Sequence, residues 1–252
     1  MAVGSPRARR HGARAFLSAV LFLVLLIGLL PAPAQAQGAD DSHWGVAASW
    51  TPNWTIAEPI RKLFFEEEGT IKGSEFTIGV VRGSTRGGDW GVSFVRKPFK
   101  DGSGEISSDR QCFDQAQRQC VTERESTLTQ GVYLNGVQVH WFIAFATIKN
   151  RVQVGLNVGG GVATMNGNVV KTKDGFTPSN FDPKTGQFTL TPTHTVETLL
   201  AKDELLPIFP LGKLEVEGAL IVTPALKIKI AGGLNFPSIG MRVGVVYLIG
   251  AK

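Results

Sequence analysis

The residues of this chain that could take part in chemistry are few and lie far apart. Three histidines follow the N-terminal segment, His43, His140 and His194, and their positions match no metal-ligand spacing. Glutamates at 66–68 offer neighbouring carboxylates for acid–base catalysis, but such a run fits a charged, solvated loop better. The sequence has neither a G-x-S-x-G motif nor a phosphate-binding P-loop. We therefore expect no catalytic centre, no metal site and no cofactor, and a protein that is not an enzyme.

The N-terminal segment has the composition of an export signal. Four arginines between positions 7 and 14 precede an apolar run at 15–30 and the triplet Ala34-Gln35-Ala36, which fits an A-x-A cleavage site. That run is shorter than the roughly 20 residues that an uncleaved helical anchor needs to span a bilayer. The sequence predicts a cleaved signal peptide at 1–36 and a mature domain at 37–252.

The charge of the mature chain is close to zero. Without the four arginines of the signal, the 26 basic residues fall to 22, against 21 acidic ones. The high isoelectric point therefore belongs to the precursor, and it gives no support for a nucleic-acid partner.

Two cysteines, Cys112 and Cys120, lie eight positions apart in a polar segment. Export would bring them into an oxidising compartment, where such a pair most simply forms a disulfide that closes a loop. A metal site would need further Cys or His residues nearby, and the segment has none.

Alternation of apolar and polar residues runs through the mature chain and indicates strands. Tyr133, Val137, Val139 and Trp141, for example, share one face of a long segment. The eight candidate strands are roughly 43–51, 75–83, 89–97, 127–146, 151–164, 213–222, 226–234 and 239–249.

The first six connections between these strands run long, short, long, short, long, short. Bacterial outer-membrane barrels combine an even number of strands with short periplasmic turns and longer external loops. With a periplasmic N-terminus, the long connections 52–74, 98–126 and 165–212 fall outside, and only the short last loop, 235–238, departs from the pattern. The predicted fold is all-β: an antiparallel, up-and-down transmembrane β-barrel of about eight strands behind a cleavable signal peptide.

The two faces of the strands differ in a way that favours a membrane. Glycines such as Gly79, Gly91 and Gly155 crowd the face opposite the apolar one, as the limited volume of a narrow lumen requires. Aromatic residues, including Trp44 and Trp50, sit towards strand ends, like the girdles of transmembrane barrels. A soluble, lipocalin-like carrier with the two faces reversed remains an alternative.

Polar residues on the glycine face are expected to fill the lumen. Glu217 lies diagonally across from Lys229 if residues 223–225 form the turn between their strands. Charges held away from water must be paired to be tolerated. The predicted lumen network comprises Gln138, His140, Glu215, Glu217, Lys227, Lys229 and Arg242.

The segment 195–211 is too apolar for a solvated external loop. Its first half has a weak helical spacing and could fold over the barrel mouth, whereas its second half could extend strand six. An apolar mouth above a polar plug would admit a small hydrophobic ligand, although packing between loops explains the pattern equally well. The candidate mouth residues are Leu205, Leu206, Ile208, Phe209 and Leu211.

Two segments, 152–161 and 241–249, carry a resemblance to a known group of proteins. In their alternation and glycine content they resemble the small outer-membrane β-barrels, the OmpA/OmpX and OmpW-like barrels of the porin family. The resemblance implies a Gram-negative outer membrane, lipid around the barrel, and recognition of the final strand by the barrel assembly machinery. Val243, Val245 and Tyr247 match the alternation that this machinery reads.

These observations predict a non-enzymatic outer-membrane barrel that contributes to envelope structure or to the passage or binding of small molecules. A surface adhesion protein that acts through its long loops is an alternative from another class, as is the soluble carrier. The sequence does not identify a ligand or an oligomeric state.

Overall fold

The computed structural model describes residues 42–56, 69–112, 119–185, 187–204 and 208–251. The predicted signal peptide and the glutamate run lie outside these residues. The elements are β1 (Ser42–Ile56), β2 (Gly69–Thr70), β3 (Lys72–Ser84), β4 (Asp89–Pro98), β5 (Gly104–Cys112), β6 (Cys120–Ile148), β7 (Val152–Asp182), β8 (Gln187–Leu200), α1 (Ala201–Glu204), β9 (Ile208–Thr223), β10 (Leu226–Phe236) and β11 (Ser238–Leu248). Among the described residues, no helix is long and apolar enough to cross a membrane.

Eight of these strands close into an antiparallel barrel. Their order around the ring is β1, β3, β4, β6, β7, β9, β10 and β11, and β11 pairs back onto β1, with Gly244 opposite Ser49. Each predicted strand overlaps one of these eight. The predicted all-β, antiparallel barrel of eight strands is confirmed.

The connections alternate in length, as predicted. The turns at 85–88, 149–151 and 224–225 lie at one end of the barrel, here called the turn end. Lys149 and Asn150 both have positive φ, which suits the twist of a tight hairpin. At the opposite end, here called the sheet end, Pro237 alone joins β10 to β11.

The apolar faces of the ring strands point outward and the polar faces point into the barrel. Ile78 and Met241 are 63% and 68% exposed, whereas Gln153 and Lys227 are fully buried. A water-soluble barrel would have the opposite arrangement, with Leu156 and Ile228 in its core, but both are exposed. The exterior is therefore apolar, as a surface in contact with lipid would be.

The outer surface has the height and the aromatic rims of a membrane-spanning band. From Ile239 to Ile249, outward-facing residues cover ten steps of about 3.3 Å, which at a tilt of about 40° gives roughly 25 Å. At the turn end, the register places Trp44, Arg82, Trp90 and Trp141 in one row across four strands. The predicted aromatic rim at this end therefore exists.

Two predicted external loops contain strands instead. Beyond the ring, β6 and β7 continue as a pair and are flanked by β5 and β8, so that residues 104–112, 120–130, 168–182 and 187–200 form a sheet. This projecting sheet replaces most of the loops predicted at 98–126 and 165–212. It escaped prediction because both of its faces are largely exposed, and such strands carry no apolar alternation.

The segment expected to fold over the mouth also differs from its prediction. Residues 195–200 belong to β8, and the helical spacing yields only the single turn α1. The second half does extend strand six, because β9 begins at Ile208 and pairs with β7 from Thr164 onward.

Candidate functional site

Acidic and basic side chains from β9, β10 and β11 meet at the centre of the barrel. Strand alternation turns Glu215, Glu217, Lys229 and Arg242 inward, and each is less than 7% exposed. The Arg242 guanidinium contacts Glu215 Oε2 at 2.8 Å and Glu217 Oε2 at 2.5 Å. Lys229 Nζ lies 2.7 Å from Glu217 Oε1, which is the diagonal pair expected from the turn. Asp89 extends this chain of ion pairs, 2.7 Å from Lys229 Nζ.

The turn-end side of the lumen is organised by Lys227. Its Nζ donates hydrogen bonds to the carbonyl oxygens of Ser84 and Gly87, at 2.6 and 3.1 Å, and to Gln153 Oε1 at 3.1 Å. Gln153 Nε2 in turn donates to Gly87 O at 3.0 Å. These bonds fix the turn at 85–88 against the inside of the barrel.

A second ion pair lies towards the sheet end. Lys97 Nζ contacts Glu75 Oε2 at 2.9 Å and donates to Ser238 Oγ at 3.0 Å. Asn235 Nδ2 donates to both carboxylate oxygens of Glu75, at 2.7 and 2.8 Å. With Asp89 and Lys213, these charged groups escaped the sequence prediction. The alternation of inward-facing and outward-facing residues would have found them, because each is the first or last residue of a predicted strand and its neighbour in that strand faces outward.

Gln138 and His140 also lie inside the barrel, where the sequence places them. They are 1% and 9% exposed, on the part of β6 that pairs with β4 and β7. No hydrogen-bond partner of Gln138 Nε2 is found among the described residues. His140 faces a small cavity in the lumen.

An apolar cluster, here called the mouth cluster, closes the barrel at its sheet end. Phe209 and Leu211 belong to it, at 7% and 1% exposed, and the rings of Phe209 and Phe236 lie 6.1 Å apart. Ile208 instead faces outward, and the predicted mouth residues Leu205 and Leu206 lie outside the described part of the chain. The mouth cluster contains Val95, Val132, Leu134, Ala163, Met165, Val169, Ala201, Phe209, Leu211 and Phe236. These side chains bury one another above the polar lumen.

The disulfide predicted between Cys112 and Cys120 is present. The two cysteines lie opposite each other at the outer end of the hairpin formed by β5 and β6. The disulfide therefore closes this hairpin at the point farthest from the barrel.

The projecting sheet presents charged and polar side chains on both faces. Lys173 lies opposite Glu125 and 3.7 Å from Glu123, and the exposed side chains of His194 and Asp174 are 2.5 Å apart. At the β7–β8 turn, hydrogen bonds from the Lys184 amide and the Thr185 hydroxyl hold the pKa of Asp182 below its usual value. The sheet is thus polar and solvated where the barrel wall is apolar.

The ring, its apolar exterior and its polar interior define a β-barrel of the membrane-spanning type. No family model and no curated protein matches the chain. Among solved structures it is similar to Ail, the attachment invasion locus protein of Yersinia pestis, crystallised with the heparin analogue sucrose octasulfate, at 8% identity and a TM-score of 0.27, over 82% of this chain and 98% of Ail.

Two autotransporter barrels show a comparable likeness. The beta domain of the Bordetella autotransporter Brka matches at 10% identity with a TM-score of 0.27, over 82% of this chain and 99% of that domain. The transport unit of AIDA-I from Escherichia coli matches at 7% identity with a TM-score of 0.22, over 92% of this chain and 98% of that unit.

Proposed function

We propose that this protein is a non-enzymatic barrel of a Gram-negative outer membrane that holds the projecting sheet at the cell surface for recognition of a macromolecular partner. The observation that carries the proposal is the unbroken course of β6 and β7. Both strands leave the barrel wall and continue as the centre of the projecting sheet. The barrel then serves as the anchor and the sheet as the binding part.

The apolar exterior and the aromatic rim support the membrane location. Lipid around the barrel and the barrel assembly machinery are the partners that this location entails. Membership of the OmpA/OmpX and OmpW-like barrels is part of the proposal, and the alternating patterns of β7 and β11 support it. An apolar exterior argues against a soluble carrier.

Passage of a solute through the barrel receives less support. Ion pairs such as Arg242–Glu215 and Lys229–Asp89 occupy the lumen, and the mouth cluster covers it. An eight-stranded barrel is just wide enough for its own side chains to fill. Binding of a small hydrophobic ligand at the mouth would require Phe209 and Leu211 to move apart.

The projecting sheet has features suited to binding a partner. Its two central strands, β6 and β7, continue from the barrel wall, and this attachment limits the freedom of the sheet and so the entropy lost on binding. Among the described residues, β8 pairs only with β7, and its other edge offers backbone groups to an extended peptide. The exposed charges of both faces would set specificity more than affinity.

The location is tested on washed membranes from cells that produce the protein, run on SDS gels with and without boiling. A folded transmembrane barrel stays in the membrane fraction, resists SDS in the cold and changes mobility on heating. Recovery in the soluble periplasmic fraction would contradict the anchor proposal.

Recognition is tested by shortening the projecting sheet while the barrel is kept. Residues 177–191, the outer part of the β7–β8 hairpin, are replaced by Asn-Gly, which forms a two-residue turn between the paired positions Phe176 and Pro192. Cells producing either form are applied to immobilised matrix proteins and polysaccharides. We expect the full-length protein to adhere, and the shortened one to lose adhesion while keeping its heat-dependent gel shift. Equal adhesion of both forms, or of neither, would contradict the recognition role.

A further inference from the structure

The lumen contains a small cavity lined by hydrogen-bond donors. Its volume is about 20 Å³, which is room for one or two water-sized particles. His140, Asn157, Lys213, Lys229 and Arg242 line it together with the hydroxyl-bearing residues Ser49, Thr77 and Ser93, and the rest of its wall consists of small and apolar residues of β1 and β11. Among the described residues, no carboxylate lines it, although Glu215 and Glu217 lie on a strand that borders the lumen.

Lys213 differs from the other cations around this cavity. Arg242 is paired with Glu215 and Glu217, and Lys229 is paired with Asp89 and Glu217. Lys213 is only 8% exposed, yet none of the ion pairs or hydrogen bonds among the described residues includes its ammonium group. A buried ammonium without a hydrogen bond is costly, because burial removes its hydration and the carboxylates of Glu75, Glu215 and Glu217 attract it without direct contact.

The buried charges of the barrel do not balance among the described residues. With His140 set aside, five cations face four carboxylates. The cations are Lys97, Lys213, Lys227, Lys229 and Arg242, and the carboxylates are Glu75, Asp89, Glu215 and Glu217. One positive charge is therefore left over. Neither Lys227 nor Lys213 forms an ion pair with a carboxylate among the described residues, but Lys227 bonds three neutral acceptors, whereas Lys213 has no hydrogen bond there.

We propose that this cavity binds one chloride-sized monovalent anion, held by Lys213. The anion supplies the charge that the lumen lacks, and the ammonium and the neighbouring hydroxyl groups supply donors. A metal cation is disfavoured because the lining residues include no carboxylate, and water alone would leave the excess charge uncompensated. Because the mouth cluster covers the lumen, the anion is a structural component of the folded barrel and exchanges slowly.

Diffraction with bromide tests this directly on the unaltered protein. Crystals of the full-length protein are grown with bromide in place of chloride, and anomalous data are collected at the bromine edge. We expect a peak inside the cavity, within hydrogen-bonding distance of Lys213 Nζ. Peaks confined to the protein surface, or density for water alone in the cavity, would overturn the proposal.

A pair of variants separates this site from a general effect of lumen charge. Lys213→Met removes the ammonium and keeps the length of the side chain, and we expect it to lose the bromide peak. Lys227→Met is the control, because Lys227 bonds three acceptors near the turn end and does not line the cavity. We expect this control to keep the peak. Loss of the peak in both variants would contradict a site built on Lys213.

Unfolding in solution provides a second measurement. The midpoint of the heat-dependent gel shift is compared in chloride and in gluconate, which is too large for the cavity, at equal ionic strength. An anion that binds only the folded barrel stabilises it by mass action, so we expect a higher midpoint in chloride for the wild type. The Lys213→Met variant should show no difference between the two salts. A wild-type midpoint that is the same in both salts would count against the proposal.

Discussion

The buried carboxylate of Glu217 contacts three donors from three other strands of the barrel. Arg242 on β11, Lys229 on β10 and Asn157 on β7 all reach it, at 2.5 to 2.7 Å. Such a group fixes the relative positions of four strands in a lumen that has no apolar core at this level. The stability that this group contributes to the barrel depends on complete pairing, because a buried charge that loses its partner is strongly destabilising.

Glu217→Gln should therefore destabilise the barrel. The substitution removes the negative charge that Arg242 and Lys229 share, and we expect a loss of about 3–5 kcal/mol in the free energy of unfolding. Urea unfolding of the protein in lipid vesicles measures it. Glu197→Gln, on the exposed strand β8, is the matched control and should change stability by less than about 0.5 kcal/mol. Similar effects of the two substitutions would contradict the pairing described for the lumen.

Two glycines on opposite faces of the wall give a second test at this scale. A Cβ atom at Gly155 would lie 2.2 Å from the carbonyl oxygen of Ile143 and 2.7 Å from the Phe142 ring, whereas at Gly218 the nearest atom is 3.9 Å away. We expect Gly155→Ala to cost about 1–3 kcal/mol through overpacking. Gly218→Ala should leave the same unfolding midpoint nearly unchanged. A larger effect at Gly218 would show that the crowding lies elsewhere.

At the scale of elements, the hairpin of β5 and β6 should behave separately from the barrel wall. The Cys112–Cys120 disulfide closes its outer end. It stabilises the folded hairpin, and not the barrel wall, by about 2 kcal/mol. Serine at both positions should speed proteolysis within residues 104–128 and leave the heat-dependent gel shift unaltered. The unreduced wild type, in which the disulfide is intact, is treated in parallel as the control. A lost gel shift in the serine variant would mean that the hairpin supports the barrel itself.

The strands that cross the apolar band could be predicted because an apolar exterior on one side and a crowded polar lumen on the other impose a period of two. The outer β8 segment could not, because Thr191, Thr193 and Thr195 alternate with Pro192, His194 and Val196, which are also exposed. The pair of Asp89 and Lys229 was also out of reach. These residues are 140 positions apart in the chain, and only closure of the ring brings them together.

At the scale of the whole molecule, the boundary between the apolar wall and the polar sheet determines where charge is tolerated. Ile230→Lys would place an ammonium group on the outer wall, in the middle of β10, where Ile230 is 54% exposed. We expect a loss of about 2–4 kcal/mol if this face contacts the bilayer interior. Unfolding from lipid vesicles measures the effect.

Thr191→Lys, on the exposed strand β8, is the control for this charge and should have little effect on unfolding. An equally small effect of Ile230→Lys would contradict contact between the wall and lipid. The two positions therefore separate a surface that meets lipid from one that meets water.

The unbroken course of β6 and β7 also has a mechanical consequence. Tension applied at the tip of the projecting sheet crosses a junction where the register of β6 and β7 shifts between Gln130 and Tyr133, and passes along two continuous backbones into the barrel wall. There it is shared by the hydrogen bonds that join β6 to β4 and β7 to β9, which are loaded side by side in shear rather than opened one after another. A cell attached through this sheet in a moving fluid would therefore load its anchor in shear along the strands rather than peel it open.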